Sequence, residues 1–336
     1  MKKVVNRVED VVDEALEGFV AAFPQYLRRV AGTKVLTRAR PKAEGLVGLV
    51  SGGGSGHEPA HGGYVGYGML DAAVAGEVFT SPTPDQVLAG IRAASRGAGV
   101  LLIIKNYTGD VMNFEIAQEM AESEGIAVQS VVVNDDVAVD GSLYTTGRRG
   151  IAGTVFVHKA AGAAAQRGAT LDEVRAAAEA AIAQVRSMGF AIAPCTVPAA
   201  GQPTFTLGED EMELGIGIHG EPGTERRPVA TADELADVIL GRLSEDLGLT
   251  EGSRLAAMIN GMGATPLLEL AILARRTRQW AEGAGHQLEG VWLGEFMTSL
   301  EMAGASISLV RLDDPLADLL AAPADTPALR QGVKHD

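Results

Sequence analysis

Two histidines set among glycines are the residues in this chain best placed to do chemistry. His57 closes the run Ser51-Gly52-Gly53-Gly54-Ser55-Gly56-His57, and His219 lies in Gly215-Ile216-Gly217-Ile218-His219-Gly220. Glycine lets a ligand approach the backbone and leaves a neighbouring side chain uncovered. An imidazole so placed can move a proton or attack as a nucleophile near neutral pH. Asp110, in Lys105-Asn106-Tyr107-Thr108-Gly109-Asp110, offers a carboxylate that either accepts a proton or caps a helix starting at Val111. A single loop histidine is more often merely solvated, and it is the flanking glycines that shift the balance. His61 and His158 read as packing residues, His286 and His335 as surface ones, and Asp135 with Asp136 as a solvated loop pair.

Two tempting motifs fail on context. His57-Glu58-Pro59-Ala60-His61 has the letters of a zinc-protease helix, but that motif needs both imidazoles on one helix face. Proline is accepted only in a first helical turn, which leaves His57 outside the helix, so no metal site is expected. The glycines at 215–220 match a dinucleotide fingerprint, yet Glu221-Pro222-Gly223-Thr224 follows as a turn where a helix is required. No Gly-Lys-Ser/Thr follows the glycines at 52–56, so no P-loop forms.

The elements that must position these residues alternate. Apolar residues from Val8 to Phe23 recur at helical spacing, and Pro24 ends that helix. Helices are expected at 84–96, 111–123, 171–186, 232–243 and 266–282, and strands at 46–50, 99–104, 126–133, 212–218, 254–259, near Val291 and at 306–311. This is an α/β chain of two domains, each with a mostly parallel or mixed sheet flanked by helices. Three prolines between Pro194 and Pro203 mark the break, giving an N-terminal domain at 1–190 with the glycine loop and Asp110, and a C-terminal domain at 191–336 with His219. Ligands in such sheets gather beyond the carboxyl ends of the strands, where the glycine loop and Asp110 are expected.

The 336 residues fit two domains of ordinary size, with 46% hydrophobic and 21% charged residues. A formal net charge of −15 repels phosphate backbones and anionic lipid, which argues against nucleic-acid and membrane partners. Cys195 is the single cysteine, so no intrachain disulfide can form. The N-terminus lacks a signal-peptide core, and no window reaches the ~18 apolar residues of a spanning helix. A cytoplasmic protein is expected.

Four words now stand together: Ser-Gly-Gly-Gly-Ser-Gly-His-Glu-Pro-Ala-His at 51–61, Gly-Glu-Val-Phe-Thr-Ser-Pro at 76–82, Lys-Asn-Tyr-Thr-Gly-Asp at 105–110 and Gly-Ile-Gly-Ile-His-Gly-Glu-Pro-Gly at 215–223. In this order they resemble the dihydroxyacetone kinase K-subunit family, and the resemblance runs nearly end to end. It implies a homodimer that holds dihydroxyacetone, or a similar small ketose, as a hemiaminal on His219. It further implies a catalytic set of His219, Asp110 and His57, with Gly54, Ser55, Gly56, His57, Lys105 and Asp110 binding substrate and Asp110 helping to remove the hydroxyl proton. ATP-using members carry a helical nucleotide-binding domain after a linker. This chain ends at Lys334-His335-Asp336. The phosphoryl donor is therefore expected in trans, from a helical L-type subunit bearing ADP or ATP and Mg²⁺ and recharged from phosphoenolpyruvate, with no cofactor in this chain. Ala264 replaces a family glycine, and Glu295 and Phe296 stand where Asn and Tyr are usual. The competing class is a non-enzymatic sensor that binds the ketose and co-activates a transcription regulator. His57, Asp110 and His219 all being present favours the enzyme.

Overall fold

The computed structural model describes residues 2–139 and 147–333. It has five layers, in which two six-stranded sheets alternate with helices. The first sheet runs β1-β2-β4-β3-β5-β6, from β1 (Leu27–Arg29), β2 (Val35–Arg38), β3 (Gly48–Ser55), β4 (Ala72–Val78), β5 (Val100–Lys105) and β6 (Val128–Val133). Its β4-β3-β5-β6 core is parallel, and β1 and β2 add an antiparallel edge.

Strand β5, Val-Leu-Leu-Ile-Ile-Lys, is buried along its whole length because both faces are covered. Val100, Leu102 and Ile104 face α2 (Pro84–Ala94) and α3 (Thr108–Ser123). Leu101 and Ile103 face a central layer built mainly from α4 (Thr154–Gln166) and α5 (Leu171–Gln184), with α1 (Val11–Ala22) packed at its side.

The second sheet lies beyond that central layer. Its order is β11-β10-β12-β7-β8-β9, from β7 (Val185–Ala193), β8 (Glu211–Leu214), β9 (Glu225–Pro228), β10 (Arg254–Gly261), β11 (Gln287–Gly294) and β12 (Ala303–Arg311). Met258 and Val310 join the central core, while Ala257, Ile259, Ile307 and Leu309 pack with the buried face of α6 (Ala232–Leu247) and with α7 (Leu267–Gly283). Only β10–β11 is parallel here. Helix α8 (Asp314–Ala321) and the short hairpin β13 (Ala324–Asp325) and β14 (Arg330–Gln331) return to the first half. Among the described residues, no helix is long and apolar enough to cross a membrane.

Five expectations are corrected. The helix expected to reach Arg186 ends at Gln184, and all of β7 belongs to the second sheet, paired with β12 from Val185↔Val310 to Ala193↔Ala303. The boundary expected at 190/191 therefore falls inside β7, and sheet membership moves the division to Gln184/Val185. The strand expected to reach Ile218 ends at Leu214, because the chain turns left-handed at Gly215 (φ 77°). Asp135 and Asp136 are fully buried rather than solvated, and His286 is buried as well. His335 lies outside the described residues.

Candidate active site

The first sheet delivers its groups at the carboxyl ends of β3 and β5. Lys105, the last residue of β5, is fully buried, and its Nζ lies 3.6 Å from Asp110 Oδ2 and 5.0 Å from the centre of the Tyr107 ring. Tyr107 occupies the cap position of α3, so Asp110 sits in the first helical turn and is not the cap. The helix macrodipole favours a carboxylate there. Asp110 Oδ1 has no hydrogen-bond partner among the described residues. Residues 52–55 prove to be strand rather than loop. Glycine is needed at 53 because a Cβ there would come 2.9 Å from Lys105 Nζ.

His57 follows β3 in irregular chain, fully buried, and its Nδ1–H donates to the Thr298 carbonyl at 2.8 Å. Its ring stacks on Phe79, with centroids 5.1 Å apart and planes at 14°. Phe79 itself adopts φ 56°, an uncommon conformation for a bulky residue and one often found where a site holds strain. Burial, then the nearby His219 and Lys105, push the His57 imidazole well below its usual range. The ring is therefore neutral, and with Nδ1 protonated its Nε2 is an acceptor.

The second sheet presents His219 on a turn after β8, closed by Gly217 N donating to Glu221 O (3.0 Å) and Gly220 N donating to Gly217 O (3.1 Å). The turn folds the Glu221 carboxylate back onto the histidine. Glu221 Oε2 accepts from the His219 backbone N–H at 2.8 Å, and Oε1 accepts from Nδ1–H at 2.7 Å. Burial alone would raise the Glu221 carboxyl, but His219 and then the Arg149 guanidinium more than offset it and hold it at about 2. A carboxylate can only accept, so His219 Nδ1 carries a proton, and in the neutral imidazole the lone pair is then on Nε2. The imidazole stands edge-on to three rings, with centroids 4.7 Å from Tyr107, 4.7 Å from His57 and 5.1 Å from Phe79.

Gly54, Tyr107, Asp110, His219 and Arg226 line one cleft of about 640 Å³. The Dak1 domain family matches residues 17–328. The chain belongs to that family. This Dak1 chain is 53% identical to the dihydroxyacetone-binding subunit DhaK of the PTS-dependent dihydroxyacetone kinase 1 of Listeria innocua, over 98% of this chain and 100% of that protein. Among solved structures, the dihydroxyacetone kinase of C. freundii superposes with a TM-score of 0.89 at 35% identity, covering 98% of this chain and 60% of that one. A dihydroxyacetone kinase operon co-activator superposes with a TM-score of 0.90, also at 35% identity, over 97% of this chain and 99% of that one.

Within the Dak1 chain the expected site residues divide into three groups. Gly54, Asp110 and His219 meet in the cleft, and His57 and Lys105 lie immediately behind it. Ser55 and Gly56 do not reach it: the Ser55 hydroxyl donates to the Gly76 carbonyl at 2.7 Å, and the Gly56 carbonyl accepts from Leu300 N at 2.7 Å. The two histidines of the zinc-like pentapeptide part company. His57 faces His219, whereas His61 packs 5.2 Å from His158 and its Nδ1 lies 3.3 Å from Ser51 Oγ. Among the described residues, no group of three or more His, Cys, Asp or Glu side chains is arranged to hold a metal ion. Sequence reasoning missed Glu221, Tyr107 and Phe79. All three stood inside the quoted words, and a carboxylate two residues beyond a histidine across a glycine was the available signal for Glu221.

Proposed function

We propose that this chain is the dihydroxyacetone-binding subunit of a dihydroxyacetone kinase, a transferase, and that it binds the ketose covalently through His219 Nε2. The observation that carries the reading is the Glu221–His219 contact, which leaves the Nε2 lone pair free of any hydrogen-bond partner among the described residues. In the bond-forming step that lone pair attacks the ketone carbon, and the π pair moves to oxygen, which takes a proton from solvent. The Glu221 carboxylate offsets the charge left on the ring. A small, flexible, neutral substrate is thereby fixed in one orientation, and a polyol without a carbonyl is rejected. His57 Nε2 offers an acceptor for a substrate hydroxyl. Asp110 accepts the proton of the hydroxyl that receives phosphate, with Lys105 compensating its charge.

Phosphoryl transfer also needs a charge-stabilising donor. We assign that part to a helical partner subunit bearing an adenine nucleotide and Mg²⁺, recharged from phosphoenolpyruvate, in line with the PTS-dependent relative. The cleft is far larger than a three-carbon sugar, which leaves room for a donor group to enter. A homodimer in the cytoplasm belongs to the same reading, and the exposed Leu268 and Ile272, one turn apart on α7, are available for self-contact.

Intact-protein mass spectrometry tests the central step. The wild-type chain should gain the mass of the whole ketose with no water lost, because the attacking nitrogen carries no hydrogen to eliminate. Borohydride should not trap the adduct, and His219→Ala should abolish it. An unchanged adduct in His219→Ala would move the chemistry to another residue. Phosphorylation assays with and without the nucleotide-bearing partner separate kinase from co-activator: an adduct without turnover under any donor would place the chain with the co-activator.

A further inference from the structure

Behind Glu221 lies a buried pair of charges that the steps above do not use. Arg149 is fully buried, its Nε donates to Asp136 Oδ2 at 2.7 Å, and its Nη2 lies 2.7 Å from both Asp136 Oδ2 and the Gly215 carbonyl. Its Nη1 has no hydrogen-bond partner among the described residues. That nitrogen and the Glu221 carboxylate flank the position that a Cβ of Gly217 would take, facing each other across it without direct contact. A Cβ there would overlap Glu221 Oε2 and come within 2.6 Å of Arg149 Nη1.

The support is built from both halves of the molecule. Asp136 Oδ1 accepts from Ala138 N at 2.9 Å, and Asp136 N donates to Arg149 O at 3.1 Å. Asp135 receives Ile151 N and Gly153 N, both at 2.8 Å, which fixes the chain on either side of the arginine. Ser187 N on β7 donates to Asp135 O at 2.8 Å, locking this loop to the second sheet. Burying an arginine–aspartate pair is costly, and apolar side chains of similar size are often as stable or more so. Stability alone therefore does not account for the pair, and its position beneath the histidine turn suggests a task there.

We infer that Arg149, anchored by Asp136, is a positioning residue: its guanidinium charge faces the Glu221 carboxylate across Gly217 and so favours the state in which that carboxylate accepts from His219 Nδ1–H and the Nε2 lone pair faces the cleft. The charged and titratable groups around Glu221 fit this role. His219 and Arg149 both favour its ionised form. Buried Tyr107, pushed well above the usual phenol range by its burial first and Glu221 next, stays neutral and adds no competing charge. With the arginine charge gone, Glu221 takes up a proton more readily, and a protonated carboxyl no longer requires hydrogen on Nδ1. The ring is then free to carry its proton on Nε2, the form that cannot attack.

This inference rests on Nε2 being the nucleophile, and the test separates the two ideas. The full chain, labelled with ¹⁵N-histidine and free of ketose, is read by long-range ¹H–¹⁵N correlation, with His219 signals assigned by their loss in His219→Ala. Wild type should show Nδ1–H. Because Arg149→Met alone leaves Asp136 unpaired in the interior, the working variant is Arg149→Met with Asp136→Asn, which removes both charges together. It should shift His219 toward Nε2–H and lower adduct occupancy at fixed ketose by ~10–100-fold, the range known for outer partners of metal-ligating histidines. Arg149→Lys, which keeps a cation, should recover most of both signals. A folded double variant that keeps Nδ1–H and full adduct occupancy overturns the inference, as does an Arg149→Lys protein no better than the double variant. A tautomer shift in a chain whose wild type forms no adduct supports the positioning role and sinks the nucleophile instead.

Discussion

The two sheets bring their functional groups to the cleft by different routes. The first is parallel at its core, and Lys105 and Asp110 stand where a parallel strand ends and the next helix begins. Both side chains are almost wholly buried, with Asp110 reaching the cleft wall. The second sheet is mostly antiparallel, and its contribution, His219, rides on a turn beyond β8 whose shape is set by backbone hydrogen bonds and the Glu221 carboxylate. The contrast teaches a division of labour. The parallel half supplies a lysine–aspartate pair whose place is dictated by topology, and the antiparallel half supplies His219, the proposed nucleophile, whose Nδ1 is engaged by local hydrogen bonding. Damage to the first should impair transfer, and damage to the second should impair capture of the ketose.

The largest expected effect tests the first half. Asp110→Asn should keep the ketose adduct by mass spectrometry and lose turnover by ~10²–10⁴, the usual worth of general-base assistance. Near-normal turnover in the partner-coupled assay would reduce Asp110 to a structural acid in α3 and erase the contrast. Next, Glu221→Gln should cut adduct occupancy at fixed ketose by ~10–100-fold while the fold survives. Gly217→Ala should do much the same, since its Cβ would displace the Glu221 carboxylate. A Gly217→Ala chain with wild-type occupancy would show that the turn tolerates more than this packing allows.

A smaller effect concerns stability. Because the Glu221 carboxyl is held at about 2 when folded, against 4.5 for the free group, the native state resists its protonation. The resulting stabilisation is complete above pH 4.5 and is lost as pH falls toward about 2. Melting curves should therefore show wild type losing stability faster than Glu221→Gln across that window, and parallel curves would contradict the assigned charge state. The smallest effect is a control on the antiparallel side. Thr231 caps α6 through a reciprocal pair with Glu234, so Thr231→Ala should cost about 1 kcal/mol in stability and leave adduct formation unchanged.

The same contrast governs what the sequence reveals. Strand β5 and helix α3 are legible because a continuous apolar run followed by an amphipathic segment is how a parallel unit is written. Helix α4 escapes that reading: residues 154–165 are all buried between the two sheets, so no polar face marks its period. Strand β7 was hidden by following directly on α5, with Val185 continuing the apolar pattern of the helix. At the site, His57 and His219 stand out through their glycines, and Lys105 and Asp110 through their place between strand and helix. Glu221 does not, because its side chain matters only once the turn at 217–221 has closed. Asp135 and Asp136 read as solvated, since adjacent acids usually are. Their burial is made tolerable by the distant Arg149 and by the backbone N–H groups of Ala138, Ile151 and Gly153.

Strand β12 pairs with β7 on one side and β10 on the other, although it follows both in the chain. During synthesis, the ribosome releases β7 more than a hundred residues before its partner. Until residues 303–311 emerge, β7 and β10 each present an open edge, and nascent edges of this kind invite mispairing. His57 is likewise without its acceptor until Thr298 arrives. The surroundings of His57 and the sheet that carries the His219 turn are thus completed only once residues 298–311 have emerged. A chain cut short before β12 would carry every glycine-flanked histidine described above and should still fail to form the proposed ketose adduct.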